Sequence, residues 1–286
     1  MASTRECEGL VALVTGASRG IGAAIAERLA AAGARVAAVA RSVDSPHTSL
    51  PGTLRETVDR IVARGHEAVA IQGDVVDADS RAAAVHLCRE RLGPIDILVN
   101  NAALGPYRPF DQFSAKDFHV TFEANVQAPL HLAQLALPDM RAKGRGWILN
   151  VSSATAIHPK GPPFIAWERK GGHHLYAASK AALDRLTTGL AAELAKEGIS
   201  VNTLAPAAAV ITPSVQQLGI DKWLEPSMIE PVETMAEAAL ALCCCGPETT
   251  GRVTYSVALL KELGRETRTL DGTDVHRPEE GASQSG

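Results

Sequence analysis

The chain has few of the residues that build disulfide frameworks or metal sites. Five cysteines in 286 residues do not make a disulfide framework, which indicates a reducing cytoplasm. The run "CCC" at 243–245 lacks the spacer that lets two thiolates hold one zinc ion, so we interpret it as small buried apolar groups. The histidines at positions His158, His173 and His174 are not spaced for a metal either. We therefore expect no metal.

Long apolar runs and an excess of positive charge are also missing. No charge-free apolar stretch approaches the length of a membrane span, and the N-terminus shows no secretion signal. The net charge is −4, and the Lys and Arg residues are scattered. We therefore expect no membrane insertion and no nucleic-acid partner.

Aromatic residues are scarce at 4%, yet 46% of the chain is hydrophobic and 21% is charged, which suits a globular protein. Apolar strand-like runs alternate with helix-like runs, with no linker or repeat in the first 206 residues. The strand-like runs are 10–15, 35–40, 67–73, 95–100, 146–153 and 199–206. The helix-like runs are 20–33, 53–65, 79–93, a segment that begins near Ser114 and Asp117, and 176–197.

This alternation predicts an α/β fold: a single doubly wound parallel sheet with helices on both faces. We assign residues 1–263 to this domain. From Gly264 onward the chain loses its apolar periodicity and ends in small polar residues. Residues 264–286 are therefore predicted to form a partly disordered tail.

The first strand-like run leads directly into "TGASRGIG", which contains Gly16, Gly20 and Gly22. Glycines at a strand–helix junction permit a tight turn and let main-chain N–H groups approach a pyrophosphate. A turn that uses glycine only for packing is the alternative. The place of this turn in the first βαβ unit favours dinucleotide binding.

The stretch "LYAASKAAL" places Tyr176 and Lys180 four positions apart. On a helix, this spacing puts both side chains on one face, with the lysine ammonium near the phenol oxygen. Tyrosine has a pKa of about 10, and a nearby cation favours the phenolate. The spacing therefore predicts a lowered pKa for Tyr176 and a proton that can be exchanged with a carbonyl oxygen. An isolated pair of this kind would instead lie on a solvated helix face.

Six motifs in this order resemble those of the short-chain dehydrogenase/reductase family, over the stretch from Leu10 to Thr254. They are the glycine turn in its G-x-x-x-G-x-G form, "GDV" at 73–75, "NNAA" at 100–103, "NVSS" at 150–153, "YAASK" at 176–180 and "VNTLAPAAAVITP" at 201–213. The resemblance implies a Rossmann-type domain, a nicotinamide cofactor, a small-molecule carbonyl/alcohol substrate, and a homodimer or homotetramer.

The resemblance also implies roles for individual residues. Tyr176 would exchange the proton and Ser153 would hydrogen-bond the substrate oxygen, with Ser152 as the rival serine. Lys180 would also hold the nicotinamide ribose, and Asn125 would anchor the water chain that returns the proton. Together with Tyr176 and Lys180, the cofactor would contact Gly16, Ser18, Arg19, Gly20, Ile21, Gly22, Arg41, Asp74, Val75, Asn101, Ala102, Pro206, Ile211 and Thr212.

The preference between NADP and NAD is predicted from charge at the end of the second strand. An acid there would bind the adenosine ribose hydroxyls and repel a 2′-phosphate. This chain has Ala40 at that position, then Arg41, and Arg19 lies in the glycine turn. Two arginines without an acid favour a phosphate dianion, which indicates NADP. The alternative is that both arginines face solvent.

Two features depart from the family pattern. Ala103 and Ala207 stand where relatives commonly carry glycine beside the nicotinamide. The separation of Ser153 and Tyr176, 23 positions (176 − 153), is longer than in most relatives. We interpret the added loop, residues 158–174, as a lid whose aromatic residues, Phe164 and Trp167, cover an apolar substrate. A surface loop or a contact with a second subunit is the alternative.

These observations predict an NADP(H)-dependent oxidoreductase that reduces a hydrophobic ketone or aldehyde. An NAD-dependent alcohol dehydrogenase is disfavoured by Arg41. A non-catalytic cofactor-binding scaffold is hard to reconcile with all four catalytic positions carrying the expected residue. The sequence does not name the substrate, because the loops that line the pocket make that choice.

Overall fold

Seven parallel strands form one sheet in the order β3–β2–β1–β4–β5–β6–β7. The computed structural model describes residues 5–47, 49–219 and 221–277. The strands are Val11–Thr15 (β1), Arg35–Ala40 (β2), Ala68–Gln72 (β3), Ile97–Asn100 (β4), Gly146–Val151 (β5), Ile199–Ala205 (β6) and Val253–Tyr255 (β7). The predicted doubly wound parallel sheet is confirmed.

Helices connect the strands and cover both faces of the sheet. Over the described residues they are Gly20–Ala31 (α1), Leu54–Ala63 (α2), Ala78–Leu92 (α3), Ala115–Phe122 (α4), Ala128–Lys143 (α5), Ala166–Lys170 (α6), His174–Leu194 (α7), Pro213–Gln217 (α8), Val232–Cys243 (α9) and Ser256–Leu263 (α10). Among these helices, none combines the length and the hydropathy that a membrane crossing requires.

The core consists of two apolar clusters, one on each side of the sheet. Successive strand residues point to opposite faces, so neighbours in β1 belong to different clusters. Leu13 packs with Cys88 of α3 and Leu132 of α5. Val14 belongs to the cluster that contains Ile25 of α1 and the apolar residues of α9. Burial on both faces explains why the sequences of these strands are continuous runs of apolar residues.

The strand order places the sequence motifs along one edge of the sheet. β1 lies between β2 and β4. The strands β2 and β3 are added on one side of β1, and the strands β4 to β7 are added on the other side. In such sheets a crevice opens at the carboxyl ends of the strands. The glycine turn follows β1, "NNAA" follows β4, Ser152 and Ser153 follow β5, and the loop 206–212 follows β6.

Several elements differ from the sequence-based prediction. α7 begins at His174, so Tyr176 lies within its first turn. The added loop contains α6, whose five residues are too few to show a helical period. α9 was not recognised because it is buried on nearly all sides and therefore has no separate polar face. Of the three cysteines at 243–245, Cys243 is fully buried as expected, whereas Cys244 and Cys245, which follow α9, are partly exposed.

The chain beyond α10 packs against the domain as far as it is described. Arg265 forms ion pairs with Glu237, at 2.5 Å, and with Glu6, at 2.7 Å. Main-chain hydrogen bonds then close a turn over residues 267–276. The polar composition of this stretch therefore reflects surface packing rather than a lack of contacts. Residues 278–286 lie outside the described residues, and for them the disordered tail stays a prediction.

Candidate active site

In the glycine turn after β1, the positions of the three glycines leave little space for a larger residue. Gly16 and Gly20 adopt left-handed backbone conformations, with φ of +67° and +56°, which glycine tolerates best. A Cβ on Gly22 would collide with the Gly16 carbonyl oxygen and the Asn101 side chain. The Nδ2 atom of Asn101 donates to the carbonyl oxygens of Thr15, at 2.9 Å, and Gly16, at 3.3 Å. Asn101 therefore ties this turn to the end of β4.

The N-terminus of α1 offers main-chain donors to an anion. The first N–H groups of an α-helix lack an intrahelical partner, and Arg19 at the N-cap forms no side-chain bond that would cap them. Ser18 is buried, and Ile21 packs against the apolar core. The Ala102 N–H donates to Thr15 Oγ1 at 3.1 Å, which brings the "NNAA" segment to the same turn. This cradle fits the pyrophosphate of a dinucleotide.

Arg19, from the glycine turn, and Arg41, which follows β2, lie near each other at the end of β2. The Arg19 Nη2 atom donates to Ser42 Oγ and to the Gly52 carbonyl oxygen, both at 3.2 Å. Burial and the charge of Arg41 lower the pKa of Arg19, so the two guanidinium groups are close enough to repel each other. A phosphate dianion between them would relieve this repulsion. A groove of about 560 Å³ runs beside Arg19, and among the residues that line it are Ser18, Arg19, Gly20, Gly52, Glu56 and Ile211.

The "GDV" segment is held in place from α3. The Asp74 N–H donates to Ser80 Oγ at 2.8 Å, and the Asp74 carboxylate accepts from the Val76 N–H at 3.1 Å. Arg81 donates to the Val75 carbonyl oxygen at 2.5 Å. These contacts fix Asp74 and Val75, two of the predicted cofactor contacts, at the carboxyl end of β3.

The loop after β6 approaches the glycine turn from the other side. Thr212 Oγ1 caps α8 by accepting from the Val215 N–H at 3.3 Å. The Thr212 methyl group lies where a Cβ on Gly20 would meet it at 3.0 Å. Pro206 and Ile211 are half-buried in the same loop. The two predicted halves of the cofactor site, before and after the catalytic motifs, are therefore in contact.

Tyr176, Lys180 and Ser153 meet where α7 crosses the end of β5. The Lys180 ammonium lies 5.7 Å from the centre of the Tyr176 ring and donates to the Val151 carbonyl oxygen at 2.7 Å. Ser153 lies close enough to Tyr176 for its side chain to lower the pKa of the phenol, against the opposing effect of burial. Ser153 Oγ also accepts from Thr155 Oγ1 at 2.9 Å. The predicted catalytic trio is assembled by these contacts.

The predicted lowering of the Tyr176 pKa is wrong for this arrangement. Burial, together with the neighbouring Tyr107, raises the pKa of Tyr176 well above its ordinary value, and the nearby Ser153 side chain opposes this rise only in part. Burial also lowers the pKa of Lys180 to about 8. Helical spacing predicted the proximity of the two side chains correctly, but burial, with Tyr107 adding to it, controls the pKa of the phenol. Tyr176 is therefore held as the neutral phenol.

The two serines after β5 point to different partners. Ser153 lies next to Tyr176. Ser152 is buried beside Asp184 of α7. Burial raises the pKa of the Asp184 carboxyl, and Ser152 opposes that rise. Because successive residues of an extended chain face opposite sides, only one of the two serines reaches the tyrosine hydroxyl. The geometry favours Ser153 over its rival.

Asn125 lies in a π-helical segment, Glu123–Gln127, rather than in a regular helix interior. Its side chain is fully buried. The amide exchanges hydrogen bonds with the main chain of Leu104 at 2.7 and 2.9 Å and donates to Ser179 Oγ at 2.9 Å. Ser179 in turn donates to the Tyr176 carbonyl oxygen at 2.7 Å. Asn125 therefore connects the loop after β4 to the first turn of α7.

Sequence reasoning missed the segment that covers Tyr176. A Cβ on Gly105 would collide with the Tyr176 ring, and the Tyr107 ring lies 6.0 Å from it, tilted by 37°. The Arg108 N–H donates to the Gly172 carbonyl oxygen at 3.1 Å, which joins this segment to the added loop. The available signal was Tyr107 itself, an aromatic residue soon after "NNAA" in a chain with few aromatics.

The added loop places its two predicted lid residues in different surroundings. The Trp167 ring stacks on His173, with centres 5.1 Å apart and planes 17° apart. His173 is buried, and its Nε2 atom lies 3.2 Å from the Glu168 carboxylate. Phe164 is 44% exposed and packs over Gly161. Trp167 thus contacts the residue before α7, while Phe164 lies on the surface.

The sequence motifs and this geometry agree with a known family. A family model for short-chain dehydrogenases matches residues 10–223. This chain belongs to the short-chain dehydrogenase/reductase family. It is therefore an oxidoreductase that acts on an alcohol/carbonyl pair with a nicotinamide nucleotide.

The chain is similar along most of its length to individual members. A hydroxynaphthalene reductase from Aspergillus fumigatus is 34% identical over 262 residues, which cover 87% of this chain and 86% of the relative. The crystal structure of a metagenomic short-chain oxidoreductase in complex with NADP has a TM-score of 0.68 and 31% identity, covering 87% of this chain and 98% of its own.

A 7α-hydroxysteroid dehydrogenase complexed with NADH and 7-oxo glycochenodeoxycholic acid has a TM-score of 0.75 and 29% identity, covering 89% of this chain and 95% of its own. The two similar structures hold different nucleotides. The preference of this chain therefore has to be argued from its own side chains.

Proposed function

We propose that this chain is an NADP(H)-dependent reductase of hydrophobic ketones or aldehydes. The observation that carries the proposal is the meeting of Ser153, Tyr176 and Lys180 at the end of β5, next to the glycine turn. NADPH, when bound, supplies the hydride. The side chains of this protein then have to orient the carbonyl group and deliver one proton to its oxygen.

Tyr176 is the proton donor in this proposal. Its raised pKa keeps the phenol protonated before reaction, which is the state that a reduction requires. Ser153 hydrogen-bonds the same carbonyl oxygen and orients it. Lys180, with its pKa lowered to about 8, is still charged at neutral pH and stabilises the phenolate that remains after proton transfer. Asn125 holds the start of α7 through Ser179.

The preference for NADP over NAD rests on Arg19 and Arg41. The Ser42 hydroxyl and the Gly52 carbonyl oxygen orient Arg19, and the neighbouring charge of Arg41 adds to the positive potential. A 2′-phosphate would form charge-assisted hydrogen bonds with both. The alternative is an NAD-dependent alcohol dehydrogenase, in which the ribose hydroxyls would occupy this position.

The preference for an apolar substrate rests on the loops above Tyr176. Tyr107 covers the catalytic ring, and Phe164 and Trp167 lie on the adjoining loop. The names of two relatives, a hydroxynaphthalene reductase and a 7α-hydroxysteroid dehydrogenase, concern fused-ring compounds. Their substrates support a hydrophobic carbonyl compound for this chain. Action in the cytoplasm as a homodimer or homotetramer stays a prediction.

A panel of ketones and aldehydes tests this function. The rates of NADPH and NADH consumption are measured for small, linear and fused-ring carbonyl compounds, with Tyr176→Phe as the inactive control. We expect turnover with NADPH that increases with the apolar surface of the substrate. Faster turnover with NADH would favour the alternative dehydrogenase. Binding of NADPH without turnover of any carbonyl compound would favour a non-catalytic scaffold.

A further inference from the structure

The loop that follows β6 is held by a buried carboxylate that the catalytic scheme does not use. Residues 206–212 leave the end of β6 without regular structure until α8 begins at Pro213. Glu230, between this loop and α9, is only 5% exposed. Burial of a carboxylate is unfavourable unless its oxygens are hydrogen-bonded. The partners of Glu230 therefore indicate what it stabilises.

Those partners belong to the loop and to the start of α10. The Oε2 atom accepts from the N–H groups of Ala207, at 3.1 Å, and Ala208, at 3.3 Å. The Ser256 hydroxyl lies 2.8 Å from both carboxylate oxygens. The main chain adds two bonds: the Ala209 N–H donates to the Met228 carbonyl oxygen, and the Glu230 N–H donates to that of Ala209.

The arrangement differs from an ordinary ion pair. Within the described ranges, no Lys or Arg forms a salt bridge with Glu230. The Glu230 carboxylate instead accepts hydrogen bonds from two consecutive main-chain N–H groups and so fixes their orientation. This loop also carries Ile211 and Thr212, and Thr212 contacts the glycine turn at Gly20. Displacing the amides of Ala207 and Ala208 would therefore displace the wall of the cofactor cleft.

We propose that Glu230 is a positioning residue for the nicotinamide half of the cofactor. By binding the amides of Ala207 and Ala208, it holds the loop 206–212, in which Ala207 stands at the predicted nicotinamide position. The inference rests on the proposed function for the identity of the cofactor. It assigns no contact between Glu230 and the cofactor itself.

Two nucleotides separate this role from a general contribution to folding. NADPH contains the nicotinamide half, whereas 2′,5′-ADP contains only the adenosine half with its 2′-phosphate. Binding of NADPH is measured by fluorescence titration and binding of 2′,5′-ADP by calorimetry, for wild type, Glu230→Ala and Glu230→Gln. Glu233→Gln, a nearby carboxylate on α9 that lies 4.0 Å from His276, is the matched control.

Glu230→Ala should weaken NADPH binding about tenfold or more, because two main-chain amides lose a charged acceptor. Binding of 2′,5′-ADP should change less than about twofold. Glu230→Gln should restore most of the NADPH affinity, because one amide oxygen can still accept from both N–H groups. Glu233→Gln should bind both nucleotides like wild type. Hydrogen exchange at the Ala207 and Ala208 amides should be faster in Glu230→Ala.

Other results would overturn the inference. Unchanged NADPH affinity in Glu230→Ala would do so, as would an equal loss of affinity for both nucleotides. If Glu230→Ala does not fold, Ser256→Ala decides, because it removes the hydroxyl that lies 2.8 Å from both carboxylate oxygens. It should weaken NADPH binding and speed amide exchange, and no change in either quantity would overturn the inference. Turnover of the carbonyl panel judges the proposed function separately, since a wild-type chain that binds NADPH without reducing any carbonyl contradicts that function alone.

Discussion

The glycine turn and the loop 158–174 differ in how tightly their residues are packed. In the glycine turn, a Cβ on Gly22 would collide with the main chain. In the loop, which we propose to cover the substrate, Phe164 is 44% exposed and Ile165 is 64% exposed. The first region is built from backbone that packs on backbone, and its neighbours reach it through hydrogen bonds to carbonyl oxygens. The second is built from side chains on a long loop. The difference indicates that the glycine turn tolerates little change, whereas the exposed residues of the loop can be replaced individually, so their proposed role toward the substrate can be tested one by one.

The largest expected effect lies where the two regions meet. Tyr176→Phe removes only the transferable proton, so turnover should fall about 10²- to 10⁴-fold, while NADPH affinity stays nearly unchanged. Steady-state rates and a fluorescence titration of NADPH measure the two quantities. Tyr107→Phe, which removes the hydroxyl of the neighbouring ring, serves as the matched control and should retain turnover. A wild-type rate in Tyr176→Phe would contradict the assignment.

Arg41→Asp tests the cofactor end. The substitution removes one partner of the 2′-phosphate and adds a charge that repels it, so the ratio of kcat/KM for NADPH to that for NADH should fall about 10- to 100-fold. Arg91→Asp, at an exposed arginine that donates to the Ala70 carbonyl oxygen, is the control. If the ratio is unchanged in Arg41→Asp, this arginine does not recognise the phosphate.

The pH dependence of stability reports on Lys180. Its folded pKa of about 8 lies below the ordinary value of 10.5, so the folded state loses this proton before the unfolded state does. Between pH 8 and 10.5, the unfolded chain binds more protons at this site, and Lys180 therefore makes the free energy of unfolding rise with pH. From pH 7 to 10, the rise should be on the order of 2 kcal/mol relative to Lys180→Met. Denaturant unfolding of both proteins at each pH measures it, and parallel curves would contradict the lowered pKa.

Replacing Phe164 and Trp167 together by Ala tests the substrate end. If these residues cover an apolar substrate, KM should rise about tenfold for fused-ring carbonyl compounds and little for small ones. Phe110→Ala, at an exposed phenylalanine of the neighbouring loop, is the control. An equal effect on large and small substrates would argue against a lid. A change in oligomeric state measured by light scattering would support the alternative of a subunit contact.

Local patterns in the chain were enough to predict the fold, whereas most residues of the candidate cofactor site were predicted from the resemblance to a known family. Alternation of strand-like and helix-like runs is a property of neighbouring residues, and it indicated the parallel sheet. The spacing of Gly16, Gly20 and Gly22 similarly reflects a local backbone requirement, which the left-handed conformations of Gly16 and Gly20 now show. The four-residue spacing of Tyr176 and Lys180 also placed the two side chains together on α7.

Properties that depend on distant parts of the chain required the tertiary structure. The pKa of Tyr176 rises because residues far away in the sequence bury its ring, and no local spacing contains that information. Contacts with α7 distinguish Ser153 from Ser152, and Glu230 acquires its partners only when α9, α10 and the loop after β6 come together. Helical and strand periods are set by backbone geometry over a few residues, whereas burial, ionisation and the closing of a loop depend on which segments the fold brings into contact.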